Sequence, residues 1–181
     1  MNKKLLLLTF VVLSACIAQM EHEKFSTSIF KATEQDRERI SFEQSSCPEQ
    51  DKFSELRLCK SQTLITNNPK IRVFLSKDSN DRNSNTYMAV IYSGKDWIFG
   101  EKAIDSNKKD LNLNKGNRNV RHGGVTEIYI IDGVTLDYLR EHLEKDMSIR
   151  ISGSHGNEDF IVPSGFIRGF YKFMSENSML P

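Results

Sequence analysis

Apolar residues are spaced along this chain in three ways, and each predicts a different kind of element. From Leu5 to Val12 they form a run broken only by Thr9. From Leu56 to Ile131 they mostly alternate with polar residues, the two-residue period of a half-buried strand. From Leu136 onward two stretches recur every three or four residues, the period of an amphipathic helix.

The middle of the chain reads as strands. Leu56 and Leu58 alternate with polar residues, and Leu64-Ile65 follows. Asn67-Asn68-Pro69 is a turn into Ile71, Val73 and Leu75, which alternate with Arg72, Phe74 and Ser76. Lys77 to Asn85 is a polar loop. Thr86 to Tyr92 is continuously apolar, as a central strand would be. Ser93-Gly94-Lys95-Asp96 reads as a hairpin turn into Trp97-Ile98-Phe99, with Trp97 the largest side chain of the expected core. Asp105 to Asn119 is polar apart from Leu111 and Leu113, and Gly123-Gly124 leads into another strand, Val125 to Ile131.

Past Asp132-Gly133, the Thr135 hydroxyl is placed to cap a helix carrying Leu136, Leu139 and Leu143 on one face. Ile149 and Ile151 open a further strand, and Ser152 to Asn157 turns into Phe160-Ile161-Val162. A last helix starts at Pro163 or Ser164, with Phe166, Phe170 and Phe173 along one side and Ile167 and Met174 beside them. At the other end, Ile29 to Phe42 reads as a short helix followed by a strand, and Cys47-Pro48 as a turn. The expected class is α+β: an antiparallel sheet or sandwich of about seven or eight strands, covered by one or two helices in the C-terminal half.

The first apolar run belongs to a leader. Lys3 and Lys4 supply a positive start, and the run is far short of the roughly 20 residues that span a bilayer. It ends in Leu13-Ser14-Ala15-Cys16, which resembles the lipobox of bacterial lipoproteins. The resemblance covers only the first tenth of the chain and implies removal of residues 1–15 as a signal peptide. It also implies a diacylglycerol on the Cys16 thiol, often with acylation of the amine. Two or more acyl chains give stable anchoring at about 0.8 kcal/mol per buried methylene. Ile17 stands where some inner-membrane lipoproteins have Asp, so the resemblance favours the outer membrane, with the inner membrane as the alternative. Residues 16–28 are then the lipidated cysteine and a polar tether; about ten flexible residues reach roughly 15–20 Å. Residues 29–181 form a single globular domain.

Removal of the leader changes the charge and the cysteine count. Losing Lys3 and Lys4 takes the formal net charge from +1 to −1 over 166 residues. A near-neutral exported chain is not expected to bind nucleic acid. Of three cysteines, Cys16 takes the lipid, and Cys47 and Cys59 are expected to form a disulfide in an oxidising compartment. A redox pair would use C-x-x-C spacing instead.

Candidate chemistry is sparse. Ser154, His155 and Asp159 resemble the membership of a hydrolase triad, but neighbouring Ser154 and His155 are expected to point apart. Ser152 also replaces the first glycine of a G-x-S-x-G elbow. Arg121-His122-Gly123-Gly124 resembles the H-G-G stretch of an esterase oxyanion hole, without a matching serine elbow. The four histidines, His22, His122, His142 and His155, are scattered, with His142 expected on a charged helix face, so no metal and no cofactor is expected. Asp78-Ser79-Asn80-Asp81 departs from calcium-loop spacing. Lys102, Lys108, Lys109, Lys115, Arg118 and Arg121 outnumber Asp105 and Asp110 in one polar region, a candidate contact for anionic headgroups or an acidic partner.

These features point to a lipid-anchored envelope protein with a non-enzymatic binding, scaffolding or regulatory role. Its partners would be the membrane, through the anchor, and an envelope protein or polymer. The competing expectations are a lipid-anchored hydrolase of cell-wall or lipid esters, resting on His155, Asp159 and His122-Gly123-Gly124, and a small-ligand carrier. The carrier would hold a cavity lined by Phe166 and Phe170.

Overall fold

The computed structural model describes residues 32–47, 58–79, 86–121 and 123–181. Cys16, the leader, the tether with His22, the Pro48 turn, Leu56, Asn80-Asp81 and His122 lie outside the described residues, and the side chain of Arg121 is likewise left aside.

The elements run in order α1 (Glu34–Glu43), β1 (Leu58–Lys60), β2 (Leu64–Ile65), β3 (Ile71–Asp78), β4 (Thr86–Gly94), β5 (Gly100–Asp105), β6 (Asp110–Leu111), β7 (Leu113–Arg121), β8 (Gly124–Ile131), α2 (Leu136–Glu141), β9 (Met147–Gly153), β10 (Gly156–Val162) and α3 (Ser164–Glu176). All strand pairs are antiparallel. One sheet is ordered β1-β3-β4-β8-β7, with β2 also on β3; the other is β10-β9-β5-β6. The fold is α+β, and the apolar run from Thr86 is indeed central, held between β3 and β8.

Alternation decides which side chains go inward. On β8 the buried positions are Val125, Glu127, Tyr129 and Ile131. They continue across the sheet into Met88, Val90 and Tyr92 of β4 and Ile71, Val73 and Leu75 of β3. Ala103, Met147, Ile149, Ile151, Phe160 and Val162 of the smaller sheet join the same core. So do Phe166, Ile167, Phe170 and Met174, which make α3 amphipathic, with Phe173 half-buried at its margin.

The two sheets share one stretch of chain. β6 pairs with β5, and after Asn112 the chain changes sheets and continues as β7 on β8. The Asp132 N–H donates to the Asn112 carbonyl (3.0 Å) and pins the crossing.

Helix α1 is polar, with only Ser41 buried, and is held by α3 rather than by an apolar stripe. A Cβ at Gly165 or Gly169 would overlap the Glu34 or Glu38 carbonyl, so these glycines let the two backbones touch. The pairs 34 with 165, 38 with 168–169 and 42 with 172 advance together, which makes the helices run side by side in the same direction. Pro163 offers no capping side chain, so remote carboxylates cap α3. Asp146 accepts from the Ser164 N–H (2.9 Å), while Glu34 accepts from the Gly165 N–H (2.7 Å) and the Ser164 hydroxyl (2.8 Å). Burial pushes the Glu34 carboxyl up, but those hydrogen bonds with Arg37 and Arg168 outweigh it and hold it below its usual range. Cys47 and Cys59 form a disulfide that fastens the end of this helical segment to β1, beside the paired backbones of Ser46 and Lys60.

Several local expectations change. Ile40 and Phe42 belong to one helix that continues to Glu43, not to a strand. There are ten strands among the described residues: β1 and β2 fall where strands are expected, while β5, β6 and β7, in the polar stretch past Phe99, are additional. Trp97-Ile98-Phe99 does not return along β4; both edges of β4 are taken by β3 and β8, and the residues cross to the other sheet as a non-regular link. Asn114 to Asn119, part of the stretch read as polar with no strand assigned, lies in an exposed strand. His142 is not on an exposed helix face: it is 1% exposed, beside Tyr138, and neither ring nitrogen finds a partner among the described residues.

Candidate functional site

A grouping of chemically versatile side chains lies where the Trp97–Gly100 link crosses from one sheet to the other. Its foundation is Glu127. The two-residue period of β8 places this carboxylate in the core row, and it is 0% exposed. Such a group must be satisfied within the protein. One oxygen, Oε1, accepts from the backbone N–H groups of Ile98 (2.6 Å) and Phe99 (3.1 Å). The other, Oε2, accepts from the Tyr129 hydroxyl (2.6 Å) and the Arg118 Nε (3.2 Å). Tyr129 in turn accepts from the Gly100 N–H (2.7 Å), so three successive amides of the link end on two side chains of one strand. Burial, then the hydrogen bond to Glu127, raises the Tyr129 phenol above its usual range.

A bulge puts Arg118 in this row. Lys115 faces Tyr129 and Arg118 faces Glu127, so Gly116 and Asn117 of β7 together oppose Ile128 alone. Without the extra residue, Asn117 would face Glu127. The Arg118 guanidinium also lies over the Phe99 ring, 4.7 Å from its centre, a cation–π contact of about 0.5–1 kcal/mol.

Above the carboxylate the rings form a cap. Phe99 has φ +49°, the left-handed region that a side chain rarely adopts, and the two amide bonds to Glu127 hold the link in that conformation. Its ring lies 5.7 Å from Trp97 and 4.9 Å from His155. Gly153, in the β9–β10 hairpin, is required beneath: a Cβ there would overlap the Ile98 and Phe99 carbonyls. Trp97 and Phe99 are half-buried, and His155 is exposed at the rim. Trp97 thus touches the core without belonging to it entirely.

The triad candidates are placed as follows. Contrary to the expectation from adjacency, the Ser154 Oγ and His155 Nδ1 are 3.0 Å apart, a hydrogen bond. Asp159 gives its two oxygens to Arg150 (2.6 and 2.7 Å) rather than to His155, and the Arg150 bond holds its carboxyl below the usual range. Phe166 and Phe170 are fully buried in the core, and other side chains line three open concavities of the surface.

The basic residues are placed as follows. Lys102 on β5 pairs with Asp110 (2.8 Å). Lys108 occupies a left-handed position in the β5–β6 turn, and Lys109 lies over the Tyr138 ring. Lys115 is exposed on β7, Arg118 turns in to Glu127, and Arg121 ends the strand. No group of three or more metal-ligating side chains occurs among the described residues.

Glu127 and Tyr129 are the site residues that sequence reasoning passes over. The signal is a glutamate in the same register as Val125, Tyr129 and Ile131, where only a satisfied carboxylate can sit. A scan against protein-family models matches none, and searches of the curated proteins and of the solved structures return no match to this chain.

Proposed function

We propose that this chain is a lipid-anchored protein of the bacterial cell envelope that binds a partner without turning it over. It would be held by Cys16, with the outer membrane favoured over the inner. The observation that carries the binding role is the state of Glu127. Both its oxygens are committed to four donors of the protein itself, so it has no lone pair poised to move a substrate proton. What the site offers outward is a rigidly supported surface of Trp97, Phe99, Arg118 and His155. Aromatic rings and arginine are the residue types that carry most binding energy at interfaces. The Cys47–Cys59 disulfide fits an oxidising, exported setting. No helix among the described residues is long and apolar enough to cross a membrane, and the attachment proposed is the lipid on Cys16.

The test is photocrosslinking in intact envelopes from a benzophenone side chain at position 155, on the exposed rim. The expected result is a discrete adduct in the membrane fraction, lost when Phe99 is changed to alanine. A Cys16→Ser chain that still sediments with membranes refutes the anchor, and an adduct indifferent to Phe99→Ala refutes the site.

The hydrolase alternative draws on one specific observation, the Ser154–His155 hydrogen bond. It requires that Ser154→Ala and His155→Ala each abolish an ester hydrolysis seen with the purified chain. Turnover surviving either change removes it.

A further inference from the structure

Among the described residues the sheet edges are short or covered, with one exception. At one end of the larger sheet, β1 and β2 share the outer edge of β3, and β1 is itself covered by the Ser46 bridge and the disulfide. In the smaller sheet, β6 is only two residues long. The free edge of β10 is met by the β2–β3 turn: the Ile161 N–H donates to the Asn67 side-chain oxygen (2.7 Å), and the Asn68 side-chain amide donates to the Asp159 carbonyl (3.2 Å). The remaining end is β7. It is nine residues long, exposed from Asn114 to Val120, and paired only with β8 among the described residues.

The register specifies which groups it presents. Arg121 faces Gly124 across a two-residue loop, with Gly123 at φ +82°, so this pair closes the hairpin. Hydrogen-bonded and non-bonded pairs alternate from there. Asn119 therefore bonds inward to Thr126, and Val120 and Arg118 direct their N–H and C=O groups to the open edge. The bulge at Gly116 and Asn117 ends regular pairing toward the other side. Val120 is 74% exposed, the one large apolar side chain so placed among the described residues. It lies opposite Val125, on the face that carries Arg118 and the Phe99 ring.

Charge selects the visitor. β7 contains Lys115, Arg118 and Arg121 and no carboxylate. Arg118 is paired with Glu127, and Lys115 has no ion-pair partner among the described side chains. A second copy of β7 would bring like charges together, which is how edge cations discourage self-association. An acidic strand would meet opposite charge, open backbone groups and an apolar contact at once.

We propose that the Arg118–Arg121 edge of β7 is a docking strand for an extended acidic segment of a partner polypeptide, which adds to the larger sheet. This rests on the binding role above and names its partner class. The incoming strand pairs with Arg118 and Val120, sets an apolar side chain against Val120 and Phe99, and brings its carboxylates beside a basic strand that has none of its own.

The test uses the full-length chain in detergent and a fluorescent peptide of alternating glutamate and valine, measured by anisotropy and by amide exchange. The expected result is saturable binding, with exchange at the Arg118 and Val120 amides slowed at least tenfold. The same peptide N-methylated at its edge-facing amides should bind at least tenfold more weakly, as should a lysine–valine peptide. Val120→Pro should lose binding while Val120→Ala stays within threefold. The N-methylated arm keeps the test decisive if Val120→Pro does not fold. Equal binding of the methylated peptide, unprotected 118 and 120 amides, or a dimer formed through β7 each overturn the inference. If those occur while the Phe99-dependent crosslink at position 155 persists, docking on the edge falls and the binding role stands.

Discussion

Replacing Glu127 with glutamine tests whether the buried carboxylate holds the crossing link in place. Glutamine preserves shape and one acceptor, so the Ile98 and Phe99 amides keep a partner. The other position becomes an NH2 group that faces the Tyr129 hydroxyl and the Arg118 Nε, and the guanidinium can only donate. Hydrogen bonds to a charged group contribute about 1.5–3 kcal/mol each. The Arg118 side chain is 35% exposed and recovers water, so its share is discounted; the buried Tyr129 hydroxyl recovers none. The net loss is about 2–4 kcal/mol, or roughly 5–15 °C in melting temperature for a domain of this size. Urea unfolding followed by Trp97 fluorescence reads both stability and the link, because Trp97 is the single tryptophan. The exposed Glu101→Gln is the control and should stay within about 0.5 kcal/mol. A loss below about 1 kcal/mol for Glu127→Gln, with unchanged Trp97 emission in the folded state, refutes the reasoning.

Three further outcomes follow from the packing and the charges. Breaking the disulfide with Cys47→Ser and Cys59→Ser should remove about 3 kcal/mol, the value for a short closed loop, and wild type in reductant should match the double variant in urea titration. Gly169→Ala raises intrinsic helix propensity by about 1 kcal/mol, yet its Cβ would meet the Glu38 carbonyl and the Ser41 Cβ. It should therefore lower the melting temperature, and an increase would show that α1 does not need this close approach. Acid should destabilise the fold: burial pushes Asp105 up, but the Lys109 amide, the Tyr138 phenol, the Asn107 amide and His142 hold it below its usual range, as Glu34 and Asp159 are also held. A carboxyl depressed in the folded state stabilises fully above its unfolded value, and that stability is lost as pH falls through the folded one. Melting temperature should stay level down to about pH 5 and fall below it, with a shallower fall in Asp105→Asn; an unchanged slope contradicts the assignment.

The elements legible in the sequence are those whose faces differ in environment. β3, β4 and β8 each bury one face and expose part of the other, so their apolar residues alternate or run on. The hydroxyl of Thr135 caps α2 by accepting from the Tyr138 N–H, and α3 begins at Ser164 with its aromatic stripe inward, both as expected. β7 left no such trace, because a strand exposed along an edge has little apolar surface to place and reads as loop. The course of Trp97-Ile98-Phe99 was hidden for a different reason. A Gly-containing turn before apolar residues predicts a hairpin, and only tertiary contacts, Glu127 on the amides and Gly153 beneath the carbonyls, send the chain to the other sheet. The aromatic surface was therefore half legible: Trp97, Arg118 and His155 could be singled out, but not the glutamate beneath them.

The parallel helix clasp bears on the order in which this molecule can assemble. Synthesis releases α1 before its counterpart α3, with both sheets between them along the chain. A helix so poor in apolar residues gains little from lying on a partial core, so it has nowhere to settle until Gly165 and Gly169 arrive. Closure of the clasp therefore waits for α3, when Arg168 meets Glu34 and Glu38.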